Sequence, residues 1–138
     1  MPIFNGLSVL LLEDEYLIAL DAEQILKDLG VARLEIVSTL AEASQSAEAG
    51  AFDLVILDVN INGEMSFPLA KRLASRGIPV VFATGYEWRQ SRPGQFEQGV
   101  YLSKPYTAES LKDAILTALR GSLATAGAHE GDGRSSKA

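Results

Sequence analysis

Four short apolar runs in this chain each end on polar or charged residues, and that punctuation restricts the fold more than any other feature. Leu54-Val55-Ile56-Leu57 stops at Asp58, and Ser8 through Leu12 stops at Glu13-Asp14-Glu15. Val80-Val81-Phe82-Ala83 stops at Thr84-Gly85, and Val100-Tyr101-Leu102-Ser103 stops at Lys104-Pro105. A run rich in branched apolar residues suits a strand buried on both faces, which is the habit of parallel sheets covered by helices. Each run therefore delivers its terminal polar group to the rim of a sheet, where α/β folds place their ligands.

The intervening segments carry helical spacing. Ile18, Ala22, Ile25, Leu26 and Leu29 recur along one face, and Gly30 follows as a C-terminal stop. Arg33 to Val37 reads as a weaker strand, and Thr39-Leu40-Ala41-Glu42 has the spacing of a capping box opening a helix that runs to Gly50. Asn60-Ile61-Asn62-Gly63 is loop chemistry before a third helix through Leu69, Ala70, Leu73 and Ala74, ended by Gly77-Ile78-Pro79. The stretch 85–99 shows no clean period and is expected to be a short or irregular helix. Thr107 is an N-cap candidate for a last helix through Leu111, Ala114, Ile115, Ala118 and Leu119, ending near Gly121. Five strands alternating with helices predict an α/β, doubly wound, five-stranded parallel sheet in a three-layer sandwich. All strand C-termini then lie on one edge, which gathers Glu13, Asp14, Asp58, Thr84 and Lys104.

At 138 residues the chain suits one domain, expected over residues 1–121, with the small, glycine-rich segment 122–138 read as a disordered tail and no effector domain. No apolar stretch approaches a membrane span and no signal peptide opens the chain, so a cytoplasmic address is expected without membrane partners. The formal charge of -6 argues against nucleic acid as a partner, since such binding needs clustered Lys and Arg. The absence of Cys removes thiolate catalysis and cysteine-zinc sites, and a single histidine, His129, removes histidine triads.

Carboxylates crowded at one rim repel, and a hard divalent ion relieves that repulsion. Oxygen ligands without Cys or His suit Mg²⁺, with Asp14 and Asp58 as direct ligands and Glu13, longer by a methylene, reaching the metal through water. Lys104 adds an ammonium and Thr84 a hydroxyl, the parts needed to stabilise a transferring phosphoryl group beside a carboxylate nucleophile. Taken singly, these residues read more plainly: Asp58 as a turn cap, Glu13-Asp14-Glu15 as a solvated helix start, Lys104 as a surface lysine, Tyr101 as strand packing. Their combination decides for chemistry. A nucleotide site would need a phosphate-cradling loop where Glu13-Asp14-Glu15 would repel phosphate, and an aspartate-nucleophile phosphatase would need a second carboxylate where Asn60 stands.

In this order and strand context, Glu13-Asp14, Asp58, Thr84, Tyr101 and Lys104-Pro105 resemble the receiver domain of two-component response regulators, over Leu7 to Arg120. The resemblance implies a flavodoxin-like fold and a single-domain response regulator in which Asp58 accepts phosphate from a histidine kinase or phosphotransfer protein. It implies Mg²⁺ held by Asp14, Asp58 and the main-chain carbonyl of Asn60, with Glu13 through water. Thr84 and Lys104 would contact the phosphoryl oxygens, and Tyr101 would change rotamer as Thr84 moves. The Lys104-Pro105 bond would be cis. Phe82-Ala83-Thr84-Gly85-Tyr86 further resembles the signature of the FAT GUY receivers, which implies stress signalling and kinases of the HWE or a related class. On this reading the chain is not an enzyme beyond self-catalysed phosphoryl acceptance and loss, and its output is switching, relay or a phosphate sink. The alternative is a pseudo-receiver that binds partners without being phosphorylated.

Overall fold

The computed structural model describes residues 4–85 and 99–131. In chain order the elements are β1 (Ser8–Leu12), α1 (Tyr16–Asp28), β2 (Arg33–Val37), α2 (Leu40–Ala49), β3 (Leu54–Asp58), β4 (Asn60–Ile61), β5 (Glu64–Met65), α3 (Phe67–Ser75), β6 (Val80–Gly85), β7 (Val100–Lys104) and α4 (Ala108–Gly131). Five strands pair in parallel in the order β2-β1-β3-β6-β7. This is the doubly wound, flavodoxin-like arrangement expected from the alternation of runs, with β3 central and the strand order reversing beside β1.

Alternation along each strand divides the interior into two layers. Val9, Leu11, Leu54, Ile56, Val81, Ala83 and Leu102 face α1 and α4, packing against Ala22, Leu26, Leu111, Ala114 and Ile115. Leu10, Leu12, Val55, Leu57 and Phe82 face α2 and α3, packing against Ala43, Ala47, Leu69, Ala70 and Leu73. Every residue of β3 is buried, as a strand covered on both faces must be.

The helix ends follow local chemistry. At the end of α1, Gly30 adopts φ 102°, Val31 N–H donates to Leu26 O and Gly30 N–H to Lys27 O, both at 3.0 Å, the paired bonds of a glycine-terminated helix. At α2, Thr39 Oγ1 accepts the Glu42 N–H at 3.1 Å, while Glu42 Oε1 accepts the Ser38 N–H at 3.0 Å, one residue upstream of the usual capping-box partner. At α4, Thr107 Oγ1 accepts the Ser110 N–H and Ser110 Oγ accepts the Thr107 N–H, both at 3.0 Å.

Two expectations are corrected. The last helix does not end near Gly121 but runs to Gly131, so the boundary drawn there for a disordered tail falls inside α4. Gly121 is absent from the positive-φ glycines and lies within the helix. Alanines at 124, 126 and 128 favour continuation, whereas an interior glycine costs only about 1 kcal/mol. The segment after Asp58, read as a plain loop, is an antiparallel hairpin, β4 with β5. Asn62 at φ 52° and Gly63 at φ 87° form its two-residue turn, the left-handed pair whose twist matches flanking strands. The irregular helix expected over 85–99 falls mostly, and the final residues of the tail entirely, outside the described residues. Among the described residues, no helix is long and apolar enough to cross a membrane.

Candidate functional site

Strand register assembles the rim. Leu12 lies opposite Leu57 and Asp58 opposite Ala83, which brings Glu13 level with Asp58, while Gly85 pairs with Lys104 at the far edge. Alternation then sorts the side chains. Glu13 continues the series Val9, Leu11; Asp58 continues Leu54, Ile56; Lys104 continues Leu102; all three belong to the α1/α4 side of the sheet. Thr84 continues Phe82 and belongs to the opposite side.

The sorted residues meet. Lys104 Nζ donates to Asp58 Oδ2 at 2.8 Å and to Glu13 Oε1 and Oε2 at 3.1 and 3.3 Å. Glu13 and Asp58 are 2% and 5% exposed, so one ammonium faces two carboxylates taken out of water and offsets only part of their charge. Asp14 stays exposed, with a carboxylate oxygen within 4.8 Å of those of Glu13 and Asp58. Glu13 therefore is not part of a solvated helix start; it is the most enclosed carboxylate of the rim.

The hairpin closes on the rim. Ser66 N–H donates to Val59 O and Val59 N–H donates to Ala83 O, both at 2.9 Å, so Val59 ties the hairpin to β6. The Asn60 N–H donates to Asp58 Oδ1 at 3.4 Å, and the Asn60 side chain accepts the Gly63 N–H at 2.9 Å. Glu13, Asp14 and Asp58, each with a carboxylate oxygen within 4.8 Å of the others, are all-oxygen donors that fit a small hard cation such as Mg²⁺.

Burial pushes the Asp58 carboxyl up from 3.8 to about 6; the hydrogen bond and charge of Lys104 act against this without cancelling it, and the charge of Glu13 adds to it. For Lys104, burial acts to lower the value, yet the hydrogen bond and charge of Asp58, followed by those of Glu13, hold its ammonium above the usual range. A buried carboxylate raised in this way and matched by a cation at the rim of the sheet marks a candidate functional site.

Thr84 is buried, and its hydroxyl donates to the Gly85 carbonyl at 3.4 Å. Tyr101 is partly exposed and stacks on Phe82 with centroids 5.1 Å apart, and Phe82 meets Phe67 edge-on at 5.0 Å. Thr84 thus shares its side of the sheet with an aromatic row ending at Tyr101. The Lys104-Pro105 bond is cis. One residue escaped sequence reasoning: Tyr106, 7% exposed, whose hydroxyl donates to Glu13 Oε1 at 3.3 Å. The available signal was an aromatic residue with a polar tip directly after the rim lysine and proline. Burial, with the nearby charges of Glu13 and Asp58, keeps that hydroxyl protonated.

This rim on this sheet defines a receiver. The response regulator receiver domain matches residues 9–116, and the chain belongs to that family. It is 33% identical over 129 residues to the transcriptional regulatory protein PdtaR of Mycobacterium tuberculosis, covering 85% of this chain and 63% of that one. The chain therefore spans less than two thirds of that relative's length. The solution structure of SdrG from Sphingomonas melonis Fr1 matches with a TM-score of 0.71 and 40% identity over 83% of this chain and 97% of SdrG. The BeF3-activated conformation of SdrG, described as from Pseudomonas melonis Fr1, matches with a TM-score of 0.70 and 39% identity over 81% of this chain and 95% of that one. The PhyR stress response regulator matches at 0.71 and 30% identity, over 85% of this chain and 47% of PhyR.

Proposed function

We propose that the chain is a phosphoryl-accepting receiver whose Asp58 takes the group from a histidine kinase or a phosphotransfer protein. The observation that carries this reading is the convergence of Lys104 on Asp58 and Glu13 from the far end of the chain, beside the exposed Asp14. In the step, an Asp58 carboxylate oxygen attacks phosphorus and forms a P–O bond. The P–N bond of phosphohistidine breaks with its electron pair left on the imidazole nitrogen, which takes up a proton. Asp14, Asp58 and the Asn60 carbonyl would hold Mg²⁺, with Glu13 in support through water, and the ion would supply charge that offsets the crowded oxygens. Lys104 leaves its carboxylate partners for a phosphoryl oxygen, Thr84 closes on another, and the void left behind Thr84 is taken by Tyr101 moving off Phe82. The chain is an acceptor and timer rather than a turnover enzyme.

Exposed Tyr16 and Leu17, each 73% accessible, open α1 directly after the acidic rim and offer a protein partner an apolar contact next to Asp58. Likeness to SdrG and PhyR, with Phe82-Ala83-Thr84-Gly85-Tyr86, supports stress signalling and a kinase of the HWE or a related class. Relay, sink and direct protein contact all follow from this switch.

Mass spectrometry after incubation with Mg²⁺ and a small phosphodonor tests the reading. The unmutated protein is expected to gain one phosphoryl group and Asp58→Asn none, with beryllofluoride shifting the NMR spectrum of the first protein only. An unmodified, spectrally unchanged wild type would instead make the chain a pseudo-receiver that binds without being phosphorylated.

A further inference from the structure

Glu13 carries more hydrogen bonds than a water-mediated metal ligand needs. Lys104 donates to both of its oxygens, the Glu15 N–H donates to Oε2 at 3.1 Å, and the Tyr106 hydroxyl donates to Oε1 at 3.3 Å. The carboxylate is 2% exposed, so any donor it loses is not replaced by bulk water. Lys104 is the donor most easily lost, because its shorter bond is to Asp58, at 2.8 Å, and phosphoryl oxygens on Asp58 would draw it further that way.

We propose that Tyr106 is a positioning residue of the metal site that acts through Glu13, and that the extra methylene of Glu13 and the hydroxyl of Tyr106 work as a matched pair. The inference rests on the receiver reading above. The Tyr106 ring sits in the core layer beneath α1 and α4, which aims its hydroxyl at one oxygen of Glu13. With the Glu15 N–H on the other oxygen, the carboxylate keeps its orientation toward Asp14 and Asp58 when Lys104 departs. An aspartate at 13 would withdraw its oxygens by about 1.5 Å, a C–C bond length. From the present 3.3 Å, that leaves the tyrosine outside hydrogen-bond range. Phenylalanine at 106 would keep the packing and remove the donor.

The test is a double-mutant cycle on the full chain, stripped with chelator and titrated with Mg²⁺ by calorimetry: unmutated, Tyr106→Phe, Glu13→Asp and the double variant. Tyr106→Phe is expected to weaken Mg²⁺ binding about tenfold, as loss of an outer-sphere partner does, and to change it little once residue 13 is aspartate. A slowly exchanging downfield hydroxyl proton is expected in the NMR spectrum of the metal-free protein and is expected to vanish in Tyr106→Phe and Glu13→Asp alike. Equal losses in both backgrounds, no loss in the first, or no such proton would overturn the pairing while leaving the receiver reading intact. Absence of Mg²⁺ binding by the unmutated protein would overturn both.

Discussion

Asp58 is a residue held at a cost to the fold that carries it. Its carboxyl is raised from 3.8 to about 6, chiefly by burial, so the folded chain binds a proton there more tightly than the unfolded chain does. Stability from this group is therefore fully present at low pH, falls as pH rises across that interval, and is lowest above it. Asp58→Asn is expected to stabilise the chelator-treated protein by about 1 to 3 kcal/mol near pH 8, and by much less near pH 4, where the carboxyl is already neutral. Denaturant unfolding at the two pH values measures this, and the same gain at both would show that charge is not the cause. Mg²⁺ is expected to shrink the difference, because a cation relieves the same repulsion. Glu13 and Tyr106 belong to this scale too: one methylene and one hydroxyl decide how the neighbouring carboxylate is held.

At the scale of elements, the β4-β5 hairpin does what a loop of equal length would do less well. It seats the Asn60 N–H on Asp58 Oδ1, and its two-residue turn depends on Gly63 at φ 87°. A Cβ at Gly63 would meet nothing within 4 Å, so Gly63→Ala is penalised by backbone strain alone, about 1 kcal/mol. That variant is expected to melt a few degrees lower and to bind Mg²⁺ several-fold more weakly. Gly77, also left-handed at φ 80° with nothing within 4 Å, follows α3 away from the rim. Gly77→Ala is expected to cost similar stability with unchanged Mg²⁺ affinity. Calorimetric titration of both variants separates a positioning effect from a general weakening.

Across the whole molecule, the sheet is a device for bringing one cation to two buried anions. Lys104 arrives from an edge strand, and its bonds to Glu13 and Asp58 tie together β1, β3 and β7. Removing it leaves like charges facing each other out of water, which costs about 3 to 5 kcal/mol when a buried partner is lost. Lys104→Ala is expected to lower the melting temperature in chelator, with Mg²⁺ restoring much of the loss by binding the folded state. The same variant is expected to take up beryllofluoride yet leave the resonances of Tyr101 unmoved, because the hand-over from Lys104 to the phosphoryl group is missing. A melting temperature insensitive to Mg²⁺, or a full response at Tyr101, would contradict this account.

The alternation of apolar runs with helical periods, read residue by residue, was enough to define the parallel sheet and the polar groups at the strand ends. Those properties are local: burial on both faces of Leu54 to Leu57, the stop at Gly30 and the caps at Thr39 and Thr107 depend on residues within a turn or a strand. Only the tertiary structure decided the rest. That Glu13 is buried, and that two of its donors are Lys104 and Tyr106, 91 and 93 residues away, is a matter of tertiary contact and carries no periodicity. The hairpin at Asn60 and the length of α4 beyond Gly121 turn on marginal local energies, where a glycine marks a turn in one place and is carried through a helix in another. Which carboxylate ends the central strand was legible from position; which would be enclosed depended on the chain closing over it.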